Sequence, residues 1–267
     1  MIYIVTAVYN RREITEKFIE RINSQTYRDI KLLIVDDGSS DGTSDMILEK
    51  RPDAIILKGS GNLYWGGCLH MAYKWLCKNA ADDCYVMFAN DDTSFDMDYI
   101  ARAVKHLNER KPMVLITGRG YDTATGELRD GAVLRDFRDI GNDVILSPNE
   151  IGNCASTRSL FFSIRTMKKI GGFHPIILPH YGSDYEWTIR AAKKGIDIIS
   201  FDDLEYFFDS GNGHKKCSGG SLKEMLKKGA SRNPFYVLSY ILLTTGPADL
   251  FSQITTRIRR FKHKIKK

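Results

Sequence analysis

Three polar clusters stand where apolar runs stop: "TAVYN" (6–10), "VDDGSSDGT" (35–43) and "ANDDTSF" (89–95). The last places Asp91 and Asp92 side by side at the end of a strand-like run, where charge is costly unless paired or solvated. Asn and Asp also make ordinary turns, so a single cluster would carry little. Three of them at strand ends point to a ligand. The first strand-to-helix turn has no G-x-G-x-x-G for a dinucleotide pyrophosphate, and no G-x-x-x-x-G-K-[ST] occurs anywhere in the chain. What remains is a carboxylate pair suited to a hard, oxygen-seeking cation such as Mn²⁺ or Mg²⁺, which commonly bridges carboxylates and phosphates. A further acid, Asp184, opens the helical pattern "SDYEWTIRAAKKG" and can serve there as a helix cap or a general base.

The elements that must position these residues alternate. Strands are expected over 2–8, 30–37, 54–59, 84–90 and 113–118, from runs rich in Ile, Val and Leu. Between them lie helical patterns: one with Ile14, Phe18 and Ile22 on a single face, one opened by the Ser/Asp-rich "SDGTSDMILEK", and others over 66–79 and 96–109. Alternation of this kind predicts an α/β layer structure with a mostly parallel sheet, whose ligands bind outside the carboxyl ends of the strands. The polar stretch 119–153 reads as loops and short strands over a site. Order returns with "SLFFSI" (159–164), a helix over 183–195 and a strand over 196–203, and the chain after Gly220 reads as helical to its end.

Composition narrows the class. With 267 residues, 43% hydrophobic and 27% charged, the chain can bury a sizeable globular core. Its net charge of +6 is local: the last eleven residues, "RIRRFKHKIKK", hold seven Lys/Arg and no acid, and without them the charge is −1. A body so close to neutral argues against nucleic acid as a partner. Five cysteines (Cys68, Cys77, Cys84, Cys154, Cys217) form no C-x-x-C pair, which disfavours a disulfide framework or a zinc site. Met1 runs straight into a strand-like run, so no secretory signal is expected, and a cytoplasmic location follows. "NPFYVLSYILLTTGPA" falls short of the roughly 20 apolar residues that a spanning helix needs.

The motifs "IVTAVYN", "SQTYRDIKLLIVDDGSSDGT", "GSGNLYWGG", "FANDDT" and "GSDYEWTIRAAKKG", in that order, resemble the family 2 glycosyltransferases across about residues 1–205. "GNLYWGG" and "SRNPFYVL" are most similar to the rhamnosyltransferase-like branch. The resemblance implies a GT-A-like (Rossmann-like) domain over 1–220, with a nucleotide-binding half of about 1–118 and an acceptor half of 119–220. A helical C-terminal extension over 221–267 would follow. It also implies the roles. Thr6, Ala7 and Tyr9 would lie beside the nucleotide base, and Asp37 would accept a hydrogen bond from a base imide, favouring uracil or thymine. Asn62, Trp65 and Gly66 would face the donor, at a helix N-terminus that favours anions. Asp91 would meet the ribose, Asp92 the metal, and His214 would be a further metal or pyrophosphate ligand. Asp184 would be the catalytic base, although Ser183 precedes it where relatives often carry Glu, and Glu186 is a competing candidate. Asp36 reads instead as ordering the turn before Ser39.

The expected activity is metal-dependent, inverting transfer of a hexose or deoxyhexose, rhamnose among them. The donor would be a UDP- or dTDP-sugar and the acceptor a glycan or a lipid-linked glycan, as in bacterial-type surface polysaccharide synthesis. Two alternatives stay open: an acidic-motif phosphotransferase or phosphatase, and a non-catalytic nucleotide- or glycan-binding module. In the tail, Ile254, Ile258, Phe261 and Ile265 recur on one helical face among basic residues. That pattern predicts contact of 254–267 with the cytosolic face of an anionic membrane.

Overall fold

The apolar runs become strands and the amphipathic stretches become helices that cover them. A computed structural model describes residues 1–110, 113–138, 143–211, 225–231, 233–247, 249–251 and 255. The first half alternates β1 (Ile2–Val8), α1 (Arg12–Asn23), β2 (Ile30–Asp36), α2 (Thr43–Lys50), β3 (Ile55–Lys58), α3 (Tyr64–Asn79), β4 (Tyr85–Ala89) and α4 (Tyr99–Glu109). The second half holds β5 (Val114–Asp122), four short strands β6 (Leu128–Asp130), β7 (Val133–Leu134), β8 (Val144–Ile145) and β9 (Ile151–Gly152), then β10 (Ser159–Ser163). It continues through α5 (Ile164–Ile170), α6 (Ser183–Lys193), β11 (Asp197–Phe208) and α7 (Pro234–Thr244).

One nine-stranded sheet runs in the order β3-β2-β1-β4-β10-β5-β11-β9, with β6 paired to β5. β1, β2, β3, β4, β5 and β11 share one direction, while β10 lies antiparallel to both of its neighbours. The mostly parallel sheet expected from the alternation is therefore present, and the strand ends that carry polar clusters lie on one edge of it. Side chains alternate across each strand. Ile2, Ile4 and Val8 pack with α1 and α4 on one face, and Tyr3 and Val5 pack with α3 on the other. Each fully buried Ile, Leu or Phe contributes about 1.5–3 kcal/mol, so both faces hold the sheet firmly.

Local expectations needed two corrections, in α1 and β11, and the Asp capping expected of α2 is present. The buried stripe of α1 is Thr15, Phe18, Ile19 and Ile22, and Ile14 is exposed, because a 3.6-residue turn carries the stripe one position round. The helix α2 is capped from outside: Asp41 Oδ1 accepts from Thr43 N at 3.0 Å, while the N-cap position itself is Gly42 in a left-handed conformation. The last strand, β11, continues to Phe208 through a register shift after Ser200. Beyond Gly220, the described residues form α7, turns before it and further helical residues at 225, 247, 249–251 and 255. His214, Cys217 and nearly all of the basic tail lie outside the described residues, and the four described cysteines are free.

Candidate active site

The edge is built from strand ends that hold one another. Asn10, with φ +50°, turns the chain after β1; its N–H donates to Ser39 Oγ at 2.9 Å and its Oδ1 accepts from Ser40 N at 2.8 Å. Asp36 is fully buried and accepts from Ser39 N at 2.7 Å, Lys58 Nζ at 3.0 Å and Ser44 Oγ. Burial alone would raise its carboxyl, but the hydrogen bonds from Ser44, Ser39 and Lys58 outweigh it and hold the group at about 2. Asp36 thus orders the turn, as its position before Ser39 suggested.

Asp37 does more than line the site. Its carboxylate accepts from Gly61 N (2.8 Å), Leu63 N (2.8 Å) and Tyr64 N (3.1 Å). These are the donors at the entry to α3, so the anion at that helix N-terminus is Asp37 itself. Gly66 N donates to Pro179 O at 2.8 Å, and a Cβ on Gly66 would stand 2.6 Å from Leu178 O. The close approach permitted by Gly66 is therefore to the 178–179 backbone, which corrects the expectation that it faces a donor.

Asp91 and Asp92 flank Arg11. Asp91 is 4% exposed; its Oδ2 accepts from Thr15 Oγ1 at 2.8 Å and Arg11 Nε at 3.1 Å, and its Oδ1 lies 3.0 Å from Arg11 Nη2. Burial pushes this carboxyl up to about 6, against the pull of Arg11 and Thr15. Asp92 Oδ2 accepts from the same Arg11 Nη2 at 3.2 Å, while its Oδ1 is buried without a hydrogen-bond partner. An orphaned carboxylate oxygen on a ligand-sized cleft fits a hard cation. Among the described residues no group of three His, Cys, Asp or Glu side chains gathers around it. The remaining ligands would be substrate phosphate, water, or residues outside the described set.

A cleft of about 790 Å³ joins these carboxylates to the second half of the chain. It is lined by Arg11, Asp91 and Asp92 from the first half of the chain and by Asp130, Thr157, Arg158, Asp184 and Tyr185 from the second. A neighbouring cavity of about 370 Å³ is lined by Tyr9, Asp37, Tyr64 and Cys68, and it shares Ala7, Arg11, Trp65 and His180 with the cleft. Trp65 stands where the two meet, its Nε1 donating to Thr157 Oγ1 at 2.9 Å. The structure thus gathers Ala7, Tyr9, Asp37, Trp65, Asp91, Asp92 and Asp184 around one continuous space. It leaves out two expected residues besides Gly66. Thr6 is buried on the opposite sheet face from Ala7, as strand alternation requires, and Asn62 is exposed on the turn, its carbonyl accepting from Lys228 Nζ at 2.7 Å.

Asp184 is half-buried in the first turn of α6, and burial pushes its carboxyl above the ordinary carboxylate range. Glu186, in contrast, is 3% exposed and held by Arg190 at 2.9 and 2.8 Å, which removes it as a competing base. Sequence reasoning missed Arg11, Arg158 and Asp130. Arg11 was findable, since it follows "VYN" directly at the end of β1. Asp130 accepts from Tyr206 Oη at 2.7 Å and Ser156 Oγ at 2.5 Å, and the Arg158 guanidinium lies 3.9 Å from the centre of the Phe208 ring. No local signal marks either one.

A family model described as glycosyl transferase family 2 matches residues 3–165. Among curated proteins, N-acetylglucosaminyl-diphospho-decaprenol L-rhamnosyltransferase of Mycobacterium tuberculosis is 26% identical over 98 residues, which is 34% of this chain and 32% of that protein. The alignment therefore spans about a third of the relative. Among solved structures, a mannosyltransferase from Pyrobaculum calidifontis in complex with GDP-Man and Mn²⁺ superposes with TM-score 0.59 at 17% identity, covering 95% of this chain and 73% of that one. A GalNAc-T crystal structure with UDP, GalNAc and Mn²⁺ gives 0.61 at 10% identity, covering 78% and 44%. These likenesses show the fold, a GT-A-type sheet flanked by helices.

Proposed function

The chain belongs to glycosyl transferase family 2, and from that premise we propose that it is a metal-dependent, inverting hexosyl- or deoxyhexosyltransferase. The observation that carries this reading is the single cleft that Asp91, Asp92 and Asp184 line together, with a volume large enough for a sugar. Residues 1–118 supply the donor side and 119–220 the acceptor side. The donor is a UDP- or dTDP-sugar, its base set against Ala7, Tyr9 and the remaining lone pairs of Asp37. Asp92, through its unpartnered Oδ1, would hold Mn²⁺ or Mg²⁺. When bound, such a cation supplies positive charge to the diphosphate and makes it a better leaving group. Arg11, which lines the same cleft, would add positive charge toward that diphosphate.

Asp184 takes the proton of an acceptor hydroxyl as that oxygen attacks the anomeric carbon. The bond from that carbon to the nucleoside diphosphate breaks on the opposite side, and configuration inverts. Burial raises the Asp184 carboxyl, which makes its carboxylate a stronger proton acceptor. The acceptor is a glycan carried on a lipid, as in bacterial-type surface polysaccharide synthesis. The named substrate of the M. tuberculosis relative, a diphospho-decaprenol-linked sugar, supports that choice, and rhamnose is the first donor sugar to try. The protein would work at the cytosolic face of an anionic membrane, with 254–267 drawn to its surface. Titration calorimetry with UDP, dTDP, GDP and CDP, with and without Mn²⁺, tests the donor site. UDP or dTDP binding that strengthens with metal is the expected result. Absence of metal-dependent binding to all four overturns the reading.

A further inference from the structure

Helix α7, "PFYVLSYILLT", has no charged side chain. Asn233 starts it, its Oδ1 accepting from Phe235 N at 3.0 Å, and Pro234 sits in the first turn, where its missing N–H costs nothing. One side packs onto α6. Tyr240 lies against Gly182, which has φ +81° and whose Cβ, if present, would stand 2.9 Å from the ring. The Tyr240 hydroxyl meets Arg135, and Lys193 Nζ donates to Thr244 O at 2.7 Å. Tyr236, Val237 and Ile241 wall a pocket of about 280 Å³ that shares Tyr181, Gly182 and Tyr185 with the catalytic cleft.

Among the described residues nothing packs on the other side. Phe235, Leu238 and Leu242, at spacings of three and four, are 55%, 54% and 59% exposed, and Phe251 beyond them is 72% exposed. A contiguous apolar stripe of this size marks an interaction surface, since each such side chain forgoes its burial energy in water. Eleven residues are too few to cross a bilayer, so the helix can only lie on one. The chain leaving α7 carries the seven basic residues of 257–267. Pairing two copies through this stripe would crowd fourteen like charges together, whereas an anionic bilayer would neutralise them.

We propose that the outer face of α7 is the membrane-inserting surface of this protein, and that its partner is an anionic lipid bilayer. The basic tail attracts and the stripe inserts. Docked this way, α7 is one wall between two environments, lipid outside and the pocket beside Asp184 inside. A lipid-carried acceptor could then reach the base without leaving the interface. That consequence, unlike the docking itself, rests on the transferase reading.

The test is co-sedimentation of the full chain with vesicles of phosphatidylcholine alone and of phosphatidylcholine with phosphatidylglycerol, at low and high salt. The variants are a triple change (Phe235→Ser, Leu238→Ser and Leu242→Ser) and a tail with its seven Lys/Arg changed to Gln. The triple variant should lose roughly tenfold or more in partitioning, and all of the binding that survives high salt. The neutral tail should lose about 100-fold at low salt on anionic vesicles only. Circular dichroism and UDP titration on the same samples establish that the variants are folded. Vesicle binding by the triple variant equal to that of the unaltered chain overturns the inference. So does a dimer that the triple change dissolves while vesicle binding stays unchanged, which would assign the stripe to a second copy. A chain that docks through α7 and binds no nucleotide loses the donor-site reading and keeps this one.

Discussion

The two walls of the cleft are made in different ways. The wall proposed to hold the donor comes from the carboxyl ends of β1, β2 and β4, parallel neighbours whose last residues and following turns lie at the site. The wall proposed to receive the acceptor is gathered from distant pieces: Asp130 at the end of β6, Thr157 and Arg158 before β10, and Asp184 in α6. What brings them in is the reversed strand. Because β10 is antiparallel between β4 and β5, its beginning, not its end, lies on the ligand edge, with Ser159 opposite Ala89. Asn90 N donates to Arg158 O at 3.1 Å, stitching one wall to the other. Parallel strands present a site through local motifs, and a reversed strand presents it through residues that carry no motif.

If the walls divide the labour as proposed, the largest effect belongs to Asp184. Asp184→Asn keeps the shape and removes the base, so turnover should fall by about 10³–10⁴ while UDP affinity stays unchanged. Single-turnover kinetics beside nucleotide titration separates the two. A matching loss of UDP affinity would mean that the acceptor wall also builds the donor site. In the unaltered protein the acid limb of the rate profile should lie above the ordinary carboxylate range, since burial raises Asp184.

The donor wall carries its own titration. Asp91 is harder to ionise folded than unfolded, with its carboxyl moved from 3.8 to about 6. The native state therefore binds that proton more tightly. Its contribution favours the fold below 3.8 and is lost as pH rises through about 6. The stability difference between the metal-free protein and Asp91→Asn should shift by about 3 kcal/mol across that interval, the linkage value of a two-unit shift. Denaturant titrations at several pH values read it, and a flat difference would mean that Arg11 fully compensates the burial.

The same contrast explains what could be read from the sequence. The alternation of apolar runs and amphipathic stretches carried the sheet, and Asp36, Asp37, Asp91 and Asp92 were legible because each ends a strand within its own motif. Asp184 was legible only through resemblance, since a lone Asp in a first helical turn is ordinarily a cap. Thr6 failed because a strand end shows its two faces to different layers, and proximity in sequence does not choose the face. Gly66 failed for a different reason. Its missing Cβ admits another stretch of this chain, and that contact spans more than a hundred residues.

Asp92 separates metal from fold. Its Oδ1 has no partner and its Oδ2 only shares Arg11 with Asp91, so Asp92→Ala leaves Arg11 paired and removes little that holds the protein together. Metal-dependent strengthening of UDP binding should fall about 100-fold, with thermal stability without metal nearly unchanged. Calorimetry with Mn²⁺ present and absent distinguishes this from a general loss of the donor pocket, which would weaken both titrations equally.

The smallest effect addresses the seam. Trp65, on α3, reaches across to Thr157 on the side proposed for the acceptor, and its indole N–H makes a side-chain hydrogen bond between the walls. Trp65→Phe keeps an apolar face toward the cleft and deletes the donor, which should cost about 1 kcal/mol in stability. Thr157→Val deletes the acceptor at a similar cost. If the bond is the coupling, the double variant should lose no more than either single one, a coupling energy of about 1 kcal/mol in a denaturation cycle. Additive losses would mean that packing alone aligns the walls. The backbone stitch between Asn90 and Arg158 would then be what registers the acceptor side against the donor side.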